Sequence, residues 1–101
     1  MNDSQSSEAE ATIIQIRELA VCNAHGIHAR PAALLVKTAS RFAAEIMLEK
    51  DEMAVSAKSI IGVLTLEGHE GSVVKVSANG EDAIEALDAL QELFENGFNE
   101  E

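Results

Sequence analysis

The chain has no tryptophan, no tyrosine and only three phenylalanines among its 101 residues, so it offers no aromatic platform for stacking bases. It is almost as short of positive charge. Seven Lys and Arg stand against 18 Asp and Glu, for a net charge of −11. That balance excludes nucleic acids and anionic membrane surfaces as partners, because both demand clustered cations. It suits docking onto basic faces of other proteins instead. One cysteine, Cys22, excludes an intramolecular disulfide and fits a reducing cytoplasm. Cys22 itself reads as a small strand residue. No apolar run approaches the ~18 residues of a membrane helix, and the acidic opening lacks the basic start of a signal peptide. Neither a Walker loop nor a metal cage is evident, so no cofactor and no metal is expected.

What is present belongs to one small globular domain. The composition is 47% hydrophobic and 25% charged, and a chain of this length buries only a little over ~60% of its unfolded surface. Residues 1–10 are polar and acidic and read as a disordered tail. Ile13, Ile14 and Ile16 follow, and either extend a first strand or pack across an edge. Leu19 and Val21 then alternate with Glu18 and Ala20 as a strand. A helix is expected from Ala29 to Ser40, with Ala32, Leu35, Val36 and Ala39 as its apolar stripe. Ile46 and Leu48 alternate with Glu45, Met47 and Glu49 in a second strand with one wet face. Lys50, Asp51 and Glu52 turn the chain into a short strand over Met53–Ser56.

Ser59 looks like the N-cap of a short helix from Ile60 to Leu66. Gly68–Gly71 is a turn, and Val74, Val76 and Ala78 alternate with Val73, Lys75 and Ser77 in a last strand. The closing helix places Glu81 and Asp82 in its first turn, where the dipole favours them. Ala83, Ala86, Leu87, Leu90, Leu93 and Phe94 form its stripe, and Asn96-Gly97 stops it. The order is β-α-β-β-α-β-α. Periodicity alone gives an α+β sandwich, with helices on one face of a small sheet.

Chemistry concentrates in the run Gly26-Ile27-His28-Ala29-Arg30-Pro31-Ala32. It sets a histidine and an arginine where a helix is about to start, with Pro31 in the first turn. A helix start offers unpartnered N–H groups and the positive end of the macrodipole. Together with the Arg30 guanidinium these disfavour imidazolium, so a neutral His28 ring is expected as nucleophile. The same groups would hold a phosphate on His28, through the backbone N–H groups of Ala29 and Arg30 and the Arg30 side chain. The plainer reading is a loop histidine or a modest cap. His25 stands three residues before His28, a metal-like spacing without converging ligands. It reads as an exposed loop residue beside the site. His69 sits in a Gly-flanked turn facing solvent.

A second segment, Lys58-Ser59-Ile60-Ile61-Gly62, changes the weight of the first. The two in register closely resemble HPr, the histidine-containing phosphocarrier of the bacterial phosphoenolpyruvate-dependent sugar phosphotransferase system. The family signatures are a Gly-aliphatic-His-small-Arg-Pro-Ala run and a Lys-Ser-aliphatic-aliphatic-Gly run. The resemblance covers residues 17–97. It leaves an acidic, partly disordered extension over 1–16 and a tail over 98–101.

The resemblance implies a four-stranded antiparallel sheet covered on one face by three helices, an open-faced β-sandwich. It implies a monomeric carrier, not an enzyme, that takes phosphate on Nδ1 of His28 from enzyme I. Arg30 stabilises the group, which passes to enzyme IIA domains. At Ser59 it implies regulatory phosphorylation by an HPr kinase/phosphorylase, beside the plainer role of helix cap. It also implies an exposed docking patch: Ile61 and Leu64, with Lys58, face outward if the short helix packs on its Ile60 and Val63 side. The alternative is a regulatory HPr-like interaction module, including a nitrogen-related phosphotransferase relay, without a sugar-transport role. Many HPr sequences carry an Asn-Gly-type turn between the second and third strands; this one does not, which leaves the hairpin geometry open.

Overall fold

The computed structural model describes residues 14–100. The acidic leader and Ile13 lie outside the described residues. Four strands and three helices follow one another along the chain: β1 (Ile14–Ala20), α1 (Ala29–Ala39), β2 (Glu45–Lys50), β3 (Met53–Ser56), α2 (Ile60–Thr65), β4 (Val73–Asn79) and α3 (Ala83–Glu95). A turn of 3-10 helix, Gly97–Asn99, follows α3. The strands form one antiparallel sheet in the order β1-β4-β2-β3.

One face of the sheet is apolar and the other wet, as the alternation requires. Leu19 of β1, Ile46 and Leu48 of β2, and Val74, Val76 and Ala78 of β4 are buried. Ile14, Ile16 and Val73 stay exposed on the opposite side. Ala32, Leu35 and Ala39 of α1 pack into the same core, with Val36 only partly covered. The stripe expected for α3 is buried in full, from Ala83 through Phe94. Arg17 fastens β1 beneath that helix through Asp88 and Gln91, each at 2.8 Å.

Three details differ from the sequence pattern. Glu81 and Asp82 precede the first turn of α3, and Asp82 is its N-cap without capping it. The Asp82 carboxylate instead accepts from the Ala43 and Ala44 N–H groups, both at 2.8 Å. These donors hold its carboxyl below the ordinary range, the Ala43 bond first, against a smaller opposing effect of burial. The β2–β3 hairpin closes through Asp51 and Glu52, both left-handed at φ 53° and 69°. That is the two-residue geometry usually given to Asn-Gly. Finally, the core continues past α3. Phe98 is 3% exposed and its ring lies 4.9 Å from that of Phe94.

Candidate functional site

The loop after β1 is fixed by a close approach of two backbones. Gly26 has φ +68°, and a Cβ there would lie 2.4 Å from the Gly68 carbonyl oxygen. Only glycine tolerates both conditions. Ile27 then donates its N–H to that same carbonyl at 2.7 Å and buries its side chain. The next residue, His28, is therefore delivered in an extended conformation as the N-cap of α1, with φ −88° and ψ −163°.

The helix behind it starts with the Ala32 N–H donating to the His28 carbonyl at 2.9 Å. The His28 side chain makes no capping bond. Pro31 has no N–H to offer. Among the described residues, the N–H groups of Ala29 and Arg30 have no protein acceptor. So the mouth of α1 holds two free donors, the exposed Arg30 and an imidazole 45% exposed. Positive dipole and donors together favour an anion there.

Electrostatics around the ring include a partner that sequence reasoning missed. Glu100 places Oε2 3.0 Å from His28 Nε2. Its other oxygen accepts from Asn23 Nδ2 at 2.8 Å, and Asn23 also donates to the Gly26 carbonyl at 2.9 Å. The Asn23 donor first, with lesser contributions from the His28 contact and from Arg30, holds the Glu100 carboxyl below its ordinary value, against the opposing effect of burial. The His25 ring stands edge-on to His28 at 6.1 Å. A cleft of about 400 Å³ opens between Ala24, His25, Arg30, Asn99 and Glu100. No pattern in the segment after Asn96-Gly97 marks Glu100, because an acidic end following a helix stop reads as a solvated tail.

The second segment lies on α2, which packs against α1. Ser59 is its N-cap, and its hydroxyl accepts from the Gly62 N–H at 3.1 Å. Lys58 is exposed and donates through Nζ to the Phe42 carbonyl at 2.7 Å. Val63 alone of this helix is fully covered. Ile61 is 71% exposed and Leu64 37%, and Ile60 is also exposed, so α2 turns more of its apolar surface outward than the pattern implies. His69 is exposed in its turn, with Nδ1 3.2 Å from the Ser72 hydroxyl. Cys22 follows β1 as an exposed free thiol directed at the Phe94 carbonyl. Among the described residues, no three His, Cys, Asp or Glu side chains converge to hold a metal ion, and no helix is long and apolar enough to cross a membrane.

Comparison with known proteins decides the family. A family model described as "PTS HPr component phosphorylation site" matches residues 16–96. The chain belongs to the HPr family. Phosphocarrier protein HPr of Treponema pallidum (strain Nichols) is 45% identical over 86 residues, which span 85% of this chain and 98% of the relative. Phosphocarrier protein HPr of Xylella fastidiosa (strain Temecula1) is 48% identical over 84 residues, 83% of this chain and 94% of the relative. Among solved structures, HPr-C-His from Thermoanaerobacter tengcongensis is similar at a TM-score of 0.83 and 48% identity, covering 86% of this chain and 98% of that one. The four-stranded open-faced sheet with three helices is thus the HPr fold, and a phosphocarrier role in the phosphotransferase system comes with the family.

Proposed function

We propose that this HPr takes a phosphoryl group on His28 from phosphorylated enzyme I and passes it to enzyme IIA domains, as a monomeric cytoplasmic relay. The observation that carries the reading is the mouth of α1, where an exposed imidazole adjoins two unpartnered N–H groups. An unprotonated ring nitrogen supplies the lone pair that attacks phosphorus in line with the departing donor nitrogen. Equatorial oxygens meet the Ala29 and Arg30 amides and the guanidinium, which hold the group without enclosing it. Enclosure would defeat a carrier. The partner must reach the phosphorus from outside, and the ring's exposure supports that.

Around this site, Ile61 and Leu64 with Lys58 form the docking surface for both partners, supported by the outward apolar face of α2. Ser59 is the regulatory site, a substrate for an HPr kinase/phosphorylase. A phosphate at that cap is locally tolerated by the helix start and by Lys58, so it acts by obstructing docking and not by unfolding α2.

Incubation with phosphoenolpyruvate and enzyme I tests the reading. Wild type takes up acid-labile phosphate; His28→Ala takes up none. Arg30→Ala, lacking one charge-assisted contact, is expected to be slower by about tenfold. Absence of uptake by wild type overturns the relay and favours the regulatory module, whose state would be written at Ser59 alone.

A further inference from the structure

We propose that Glu100 is a positioning residue for His28, holding the proton on Nε2 so that Nδ1 keeps the free lone pair. The proposal rests on the reading of His28 as phosphoryl acceptor. It begins from the contact of Glu100 Oε2 with His28 Nε2 at 3.0 Å. An ionised carboxylate only accepts hydrogen bonds. The proton between the two groups is therefore on the ring, and the neutral ring has its bare nitrogen at Nδ1.

Glu100 is held in place for this. Its Oε1 accepts from Asn23 Nδ2, and the second Asn23 donor is spent on the Gly26 carbonyl. Asn23 is buried at 7% exposure, so the donor is shielded from water. The Glu100 N–H donates to the Gly97 carbonyl at 3.0 Å, closing a turn. Just before it, Phe98 and Asn99 both adopt left-handed backbone, at φ 57° and 62°. Non-glycine residues persist there only where their surroundings fix them. The buried Phe98 ring against Phe94 supplies that anchor. The other titratable groups near the contact are Arg30, which lines a cleft with Glu100, and His25, edge-on to the ring at 6.1 Å. Neither is bonded to Nε2.

The consequence for transfer follows from the electron count. The Nδ1 pair forms the new N–P bond while the donor's N–P bond breaks and its pair returns to the donor ring. Nε2 keeps its proton, so the phosphorylated ring is cationic and paired with the Glu100 carboxylate. On release the Nδ1–P pair returns to Nδ1, regenerating the neutral ring with its proton still on Nε2. No external proton is required in either direction. A ring protonated at the far nitrogen is the better leaving group, so Glu100 also keeps the phosphoramidate ready to depart.

The test uses the full chain and Glu100→Ala. In wild type, ¹⁵N spectra of the neutral His28 ring show a protonated Nε2 and a bare Nδ1. In the variant the two resonances move toward each other as the tautomers mix. Phospho-His28 of the variant, prepared with enzyme I, hydrolyses about threefold more slowly near neutrality. Identical ring spectra and identical hydrolysis rates in a variant still phosphorylated on His28 overturn the proposal and leave the relay standing. A wild-type chain that shows the Nε2–H tautomer but accepts no phosphate overturns both the relay and the positioning role that depends on it.

Discussion

Gly26 shows how much of the site is set by single residues. Its positive φ and the nearby Gly68 carbonyl leave no room for a Cβ. Replacing it with alanine must either displace that carbonyl or rotate the backbone, and the Ile27–Gly68 bond is lost in both cases. We expect Gly26→Ala to cost about 2–3 kcal/mol in denaturant unfolding and to slow phosphorylation of His28. Glu100 gives a pH dependence at the same scale. Its folded pKa is depressed below the ordinary 4.5, chiefly by the Asn23 donor. A depressed carboxylate contributes stability that is complete above its unfolded value and is lost as pH falls through the folded one. The fold-back of residues 97–100 should therefore loosen under acid, read as a shift of the Asn23 side-chain amide resonances. Constant resonances through that range would contradict the contact.

The elements differ in how far their sequence announces them. β2, β4 and α3 are written in clean periods of two and 3.6, and their buried positions follow directly. The β2–β3 hairpin could be located from its charged triplet, but its geometry could not, since Asp51 and Glu52 carry no glycine signal for two left-handed residues. Relieving that strain should stabilise the protein. Glu52→Gly is expected to add about 1 kcal/mol, measured by urea unfolding, with no effect on phosphorylation. The turn after α3 was illegible for another reason. Phe98 is one apolar residue among polar neighbours, and a single residue has no period, yet it carries Glu100 to the site. On α2, exposure separates the proposed docking residues from the core. Ile61→Ala and Leu64→Ala should change stability by less than about 0.5 kcal/mol while slowing transfer to enzyme IIA. A large fall in melting temperature would mark them as core instead.

Across the whole molecule, a strongly acidic domain keeps its few cations for particular places. Arg30 stands at the mouth of α1 and Lys58 beside the cap of α2, and the fold packs these two helices together. The sheet contributes no chemistry. It supplies the rigid floor on which the Gly26–Gly68 contact can hold one imidazole outward. The two motifs mark His28, Arg30 and Ser59 as candidates without a structure, because the residues of each motif are adjacent in the chain. Asn23 and Glu100 meet only after the chain has folded back across 77 residues, and no local pattern records that. The most direct test of the relay is a comparison of backbone amide resonances before and after phosphorylation by enzyme I. The account predicts acid-labile phosphate on His28, with the largest downfield shifts at the Ala29 and Arg30 amides. Acid-labile phosphate on His25 or His69, with those two amides unmoved, would contradict it.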